Sequence, residues 1–146
     1  MFKISTGTRY GIRALLELSL HDMNKPLNLG DIAKNQNISV KYLESIFKLL
    51  KNNNIVKSTR GPGGGYQLVK NPEELDIYTI MKAIDGPLTT IDCVTDLGNC
   101  ERVENCSTRI FWEELQDHII GFLKSKTLKD IVEKAPGESC SWYATI

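Results

Sequence analysis

"IVKSTRGPGGGYQLVK", residues 55–70, places two short apolar runs around a seven-residue stretch, 60–66, that holds four glycines and a proline. Backbone this permissive serves a phosphate loop, a flexible linker or a hairpin tip. A phosphate loop ends in Gly-Lys-Ser/Thr and leads into a helix. Here the glycines lead into Tyr-Gln-Leu-Val, a strand pattern. A linker does not suit apolar runs standing so close on both sides. The stretch therefore reads as the tip of a two-stranded hairpin, with strands over 55–59 and 66–70.

Upstream of the hairpin, Asn28 is placed to cap a short helix, "LGDIAKNQ", with Leu29, Ile32 and Ala33 on one face. "NIS" is a turn. Ser39 caps the next helix, "VKYLESIFKLLKNNN", whose stripe is Val40, Leu43, Ile46, Phe47 and Leu50. Two helices joined by about three residues form a helix-turn-helix pattern. Ala33 supplies the small side chain that two closely crossing helices need. The hairpin is then a wing behind a recognition helix. Its glycines allow close approach to a phosphate or a groove floor, and Arg60 suits a narrow minor groove. A plain hairpin without a ligand is the alternative.

Other helices flank this unit. Ser5 or Thr6 caps the first, with Tyr10, Ile12, Ala14, Leu15, Leu16, Leu18 and Leu20 as its apolar residues, and Pro26 bars its continuation. Asp76 caps a helix carrying Ile77, Ile80, Met81 and Ile84, stopped by Gly86-Pro87. Residues 88–106 show no period. Ser107 or Thr108 then caps a long helix, "RIFWEELQDHIIGFLKSK", with a stripe of Phe111, Trp112, Leu115, Ile119, Phe122 and Leu123. So much apolar surface at the end of a small domain predicts pairing with a second copy, an intrachain core being the alternative. Thr127 caps a last short helix. The expected fold is mostly α with a small β-wing. It comprises a winged helix-turn-helix domain over 1–86, a cysteine-bearing loop over 87–106, a dimerisation helix and short following helix over 107–135, and a tail over 136–146.

The 146-residue chain can bury roughly two thirds of its unfolded surface, so it needs no disulfides to fold. No apolar run approaches the ~20 residues of a membrane span. The N-terminus lacks the order of a signal peptide. A cytoplasmic protein with no membrane partner is expected. Net charge is zero, yet residues 1–70 carry +7 and residues 71–146 carry −7. A basic front half fits a polyanion partner.

Cys93, Cys100 and Cys106 fall within the aperiodic stretch, spaced C-x6-C-x5-C, while Cys140 stands in the tail. Disulfides suit a cytoplasmic chain poorly. Zinc knuckles need C-x2–4-C. The wider spacing favours an iron–sulfur cluster over zinc, with reduced structural or redox-reactive thiols as the alternative. Candidate fourth ligands are Cys140, His118, Asp92, Asp96, Glu101, Glu104 or a residue of a second subunit. There is no C-x-x-C, and His21 and His118 sit in helical segments, so an enzyme is not expected.

Taken together, "STGTRYGIRALLEL", "LGDIAKNQNISVKYLESIFKLLKNNNIVKSTRGPGGGYQL" and "IMKAIDGP" resemble the first helix, the helix-turn-helix with wing, and the next helix of one family. It is the Rrf-two-type bacterial winged-helix transcription regulators. The family includes the iron–sulfur regulator IscR, the nitric-oxide sensor NsrR and the cysteine-metabolism regulator CymR. The similarity covers roughly residues 1–126. It implies a homodimer on a palindromic operator of double-stranded DNA, with recognition helices in major grooves and wings in minor grooves. DNA-binding roles carry over to Ser39, Lys41, Tyr42 and Glu44, and to Arg60, Gly61 and Gly63. An acidic residue near the recognition-helix start can accept from a cytosine amino group, or Glu44 can simply pair with Lys48. Cys93, Cys100 and Cys106 match the family's cluster cysteines, although x6 stands where members usually have x5. IscR-like members carry a histidine where this chain has Arg109, and NsrR-like members an acid where it has Arg9. The implied cofactor is an iron–sulfur cluster, 2Fe-2S ahead of 4Fe-4S, with the fourth ligand open. The implied function is a transcriptional regulator whose operator binding is modulated by the cluster, sensing iron–sulfur status, redox or nitric oxide, with repressor as its type. The alternative is a clusterless cysteine-metabolism repressor whose tail, "SWYATI", binds cysteine synthase.

Overall fold

A computed structural model describes residues 3–90, 94 and 101–134 of the chain. The described helices are α1 (Thr6–Leu20), α2 (Leu29–Gln36), α3 (Val40–Asn52), α4 (Ile77–Asp85), α5 (Ser107–Lys124) and α6 (Leu128–Lys134). Strands β1 (Val56–Thr59) and β2 (Gly65–Leu68) form one antiparallel sheet, with Val56 opposite Leu68 and Thr59 opposite Gly65. The architecture is the expected one, mostly α with a two-stranded wing.

Five of the six predicted helix starts are made by predicted side chains, Thr127 among them, with its Oγ1 accepting from Asp130 N at 3.3 Å. Ser5 Oγ accepts from Thr8 N at 2.9 Å, Asn28 Oδ1 from Gly30 N at 2.7 Å, Ser39 Oγ from Tyr42 N at 3.2 Å and Asp76 Oδ1 from Thr79 N at 2.8 Å. Each such cap stabilises its helix by about 1 kcal/mol. Asn37 ends α2 in the left-handed conformation, φ 53°, which turns the chain into α3.

One core runs through α1, α2, α3, α4, β1 and α6. Leu15, Ile32, Leu43, Phe47, Leu50, Ile80 and Leu128 are wholly inaccessible. Val40, expected in the α3 stripe, is exposed instead. As the first residue of α3 it lies beyond the packed part of the helix. Leu20, at the end of α1, is exposed for the matching reason. Helix α6 returns to this unit: Leu128 N donates to Leu75 O and Ile77 N to Lys126 O, both at 2.9 Å.

Two glycines let three helices meet. A Cβ on Gly11 would overlap Ile84 Cδ1 of α4 and stand 3.2 Å from Ile46 Cγ2 of α3. Gly7, one turn earlier, faces Ile84 and Tyr42 in the same way.

The strands differ slightly from expectation. β1 begins at Val56 rather than Ile55, and β2 spans Gly65–Leu68 rather than 66–70. Leu27 forms a bridge with Tyr66 on the outer side of β2: Leu27 N donates to Tyr66 O at 2.9 Å and Tyr66 N to Leu27 O at 2.8 Å. Gly65, at φ 154°, passes so close to the Leu27 carbonyl that a Cβ would collide with it.

Helix α5 contains no buried residue. Its predicted stripe splits. Trp112, Ile119 and Leu123 are half-buried, while Phe111, Leu115 and Phe122 are exposed. Gln116 Oε1 accepts from Thr90 N at 3.0 Å and from Thr90 Oγ1 at 3.1 Å, tying α5 to the segment after α4. The N-cap is Cys106, not Ser107 or Thr108. Ser107 already has helical backbone, whereas Cys106 is extended, with φ −90° and ψ 104°.

Candidate nucleic-acid interface

Helix α3 has a wholly divided surface. Leu43, Ile46, Phe47 and Leu50 face the core, and Ser39, Lys41, Tyr42, Glu44, Ser45 and Lys48 are exposed. The first turn of a helix presents unpaired N–H groups and partial positive charge, which suits a phosphate oxygen. Lys41 and Lys48 are in no ion pair among the described residues, and no Glu44–Lys48 pair forms. The Glu44 carboxylate is thus open to a donor from outside. Tyr42 is only partly exposed, because its ring meets the edge of Tyr10 with centroids 6.0 Å apart and planes at 82°.

The wing tip is built on positive φ angles: Gly61 at 98° and Gly63 at 74°. Gly64 N donates to Gly61 O at 2.9 Å, and a Cβ on Gly64 would collide with Thr59 O. Arg60 is exposed beside this turn. Two contacts join the wing to α3. Tyr66 packs edge-on against Phe47 at 4.9 Å between centroids, and Lys51 Nζ donates to Ser58 Oγ at 2.7 Å. Lys41, Glu44 and Lys48 therefore share the outer face of α3, Ser39 and Tyr42 stand at its first turn beside α1, and Arg60, Gly61 and Gly63 share the wing tip. Sequence reasoning passed over Lys48 and Lys57, both exposed. The seven-residue spacing of Lys41 and Lys48, two turns of one face, was the available signal for the first.

Of the cysteines, Cys106 alone lies within the described residues. Cys93, Cys100 and Cys140 lie outside them, and no metal-binding group of side chains occurs among the described residues. Cys106 Sγ lies 3.3 Å from Thr108 Oγ1 at the start of α5. The Thr108 hydroxyl, then the backbone N–H groups of Arg109 and Thr108, hold the thiol below its ordinary pKa, with Arg102 adding to the effect. A sulfur so placed favours the thiolate, the form that binds metal. Arg109 cannot ligate, since its guanidinium stays protonated and has no lone pair to offer. It pairs with Glu113 at 2.7 Å. His118 does not join Cys106 in one site either. It stands twelve residues further along the same helix, about 18 Å at 1.5 Å per residue, with Nδ1 bonded to Glu114 O at 2.8 Å.

The chain is similar to known proteins. Residues 4–134 match the model of the Rrf2 family, described as an iron-dependent transcriptional regulator. The HTH-type transcriptional regulator IscR of Photorhabdus laumondii is 37% identical over 130 residues, covering 89% of this chain and 79% of its own. Among solved structures, CymR, the global cysteine regulator of B. subtilis, superposes with a TM-score of 0.77 at 32% identity, over 93% of this chain and all of its own. IscR of T. potens does so with a TM-score of 0.74 at 30% identity, over 92% and 89%. These likenesses mark a regulator of transcription rather than an enzyme. The winged helix, the divided face of α3 and the span of the match together place the chain in the Rrf2 family of DNA-binding transcriptional regulators.

Proposed function

We propose that the protein is a homodimeric repressor that reads a palindromic operator with α3 and the wing. The observation that carries this is the outward face of α3, where Lys41, Tyr42, Glu44 and Lys48 stand exposed. Lys41 and Lys48 contact phosphates, Ser39 and Tyr42 reach from the first turn, and Glu44 accepts from a cytosine amino group. Arg60 enters the minor groove, and Gly61 and Gly63 let the backbone follow it. The exposed Ile110, Phe111, Leu115 and Phe122 of α5 meet the same residues of a second copy. Operator titrations test the reading. Arg60→Ala should weaken binding to every operator and lower the salt slope by about 1. Glu44→Ala should change preference at one base pair by about 1–3 kcal/mol. Unchanged affinity and preference in both variants would remove α3 and the wing from DNA recognition.

Cys93, Cys100 and Cys106 hold an iron–sulfur cluster in this reading. The thiolate-favouring position of Cys106 and the family's description as iron-dependent support it. When bound, the cluster supplies sensitivity to iron–sulfur status, redox or nitric oxide. Because Arg109 cannot complete the set, the fourth ligand differs from the IscR-type histidine. Anaerobic purification with iron, sulfide and zinc analysis is the test. Brown protein with matching iron and sulfide supports the cluster, and colourless iron-free protein overturns it. A second reading, a cysteine-metabolism repressor acting through cysteine synthase and the tail, draws support from the full-length likeness to the B. subtilis cysteine regulator. It requires that removing residues 141–146 abolish that complex.

A further inference from the structure

Asp85 is the last residue of α4, a poor place for a carboxylate, since the C-terminal end of a helix carries partial negative charge. Its partners lie eighty positions away. Ser5 Oγ donates to the two carboxylate oxygens at 2.6 and 2.8 Å, and Thr8 Oγ1 donates to one of them at 2.7 Å. Thr8 is completely buried, so its hydroxyl depends on this acceptor. The first turn of α1 has no acidic residue of its own, and Asp85 provides the negative charge that a helix N-terminus favours.

The other side of that turn faces α3. A Cβ on Gly7 would stand 3.3 Å from Ile84 Cγ2, a tight contact, and 3.5 Å from Tyr42 Oη, an ordinary one, so the first turn of α1 lies against both α4 and α3. The Tyr10 ring meets Tyr42 edge-on, and the Arg13 guanidinium lies 5.6 Å from the Tyr10 centroid. Arg13 is itself fixed by Gln36, with Nε 3.0 Å from Oε1 and Nη2 2.9 Å from the backbone oxygen. The tyrosine that opens α3 is thus braced by the turn that Asp85 secures.

We infer that Asp85 is a positioning residue for Tyr42, setting the first turn of α1 and through it the aim of that ring at the operator. The inference rests on α3 being the recognition helix. A double-mutant cycle tests it, using a duplex selected by the wild-type protein from a random-sequence library and a scrambled duplex as control. Asp85→Ala should weaken binding to the selected duplex about tenfold in the wild-type background and less than about twofold in a Tyr42→Ala background. Binding to the scrambled duplex should not change. Equal losses in both backgrounds would show that Asp85 acts on stability in general and overturn the inference. A loss from Tyr42→Ala with none from Asp85→Ala overturns the inference alone. No loss from Tyr42→Ala overturns it together with the role given to Tyr42. Should Asp85→Ala unravel α1 by circular dichroism, Asp85→Asn, which keeps one carbonyl acceptor for Thr8, takes its place, with about a threefold loss expected and the same background dependence.

Discussion

The winged-helix unit and helix α5 treat the same kinds of residue in opposite ways. In the unit, most apolar side chains are inside, Leu20, Val40, Leu49 and Val69 excepted, and the cations of α3 stand outside without acidic partners. Along α5, Phe111, Leu115 and Phe122 are outside, while Arg109 is paired with Glu113. One surface leaves charge exposed, as the proposed operator contact needs, and the other leaves apolar area exposed, as the proposed contact with a second copy needs. The lesson is that burial and pairing set the two surfaces apart, where composition, with 18 acidic and 18 basic residues, cancels the difference.

The largest expected effect breaks the unit itself. Phe47→Ala removes the ring that packs against Tyr66 and fills the core, and should cost about 3–5 kcal/mol in urea unfolding followed by circular dichroism. Phe111→Glu should do something different. It should leave the melting of the winged-helix unit in place and raise the dimer dissociation constant about a hundredfold by sedimentation equilibrium. Gly65→Ala sharpens the comparison at the wing. The collision with the Leu27 carbonyl should cost about 1–3 kcal/mol of stability and loosen the wing, seen as faster exchange of the Tyr66 amide. The smallest effect is Glu113→Gln. Its pair with Arg109 is partly solvated, so stability should fall by less than about 1 kcal/mol in the same urea measurement.

Much of this was legible in the sequence because it is local. Ser39, Asn28 and Asp76 announce helices whose hydrogen bonds lie two or three residues away. The glycine run announces a tip, and the spacing of Leu43, Ile46, Phe47 and Leu50 announces an inner face. What the sequence hides is non-local or set by partners. Nothing near Leu27 says that it will pair with Tyr66, and nothing near Asp85 says that it will hold Ser5 and Thr8. Val40 fits the helical period but not the packing, because periodicity cannot tell where a neighbouring helix stops. Cys106 was read from the sequence as a candidate ligand and not as the cap of α5, since cysteine is not a usual capping residue. Glycine-tip residues and the exposed face of α3 could be placed together only because the helix-turn-helix pattern orders them.

Helix α1 has a history that follows from its contacts. It is synthesised before the other described helices, yet its opening turn is finished by Asp85 and its body is packed against α6, which begins at Leu128. At ordinary synthesis rates about 5–20 s separate the making of residue 20 from the making of residue 128. During that interval Ala14, Leu15 and Leu18 belong to a nascent amphipathic segment without its final cover. Among the described helices, α1 is therefore made before every partner it needs and is completed only when α6 arrives.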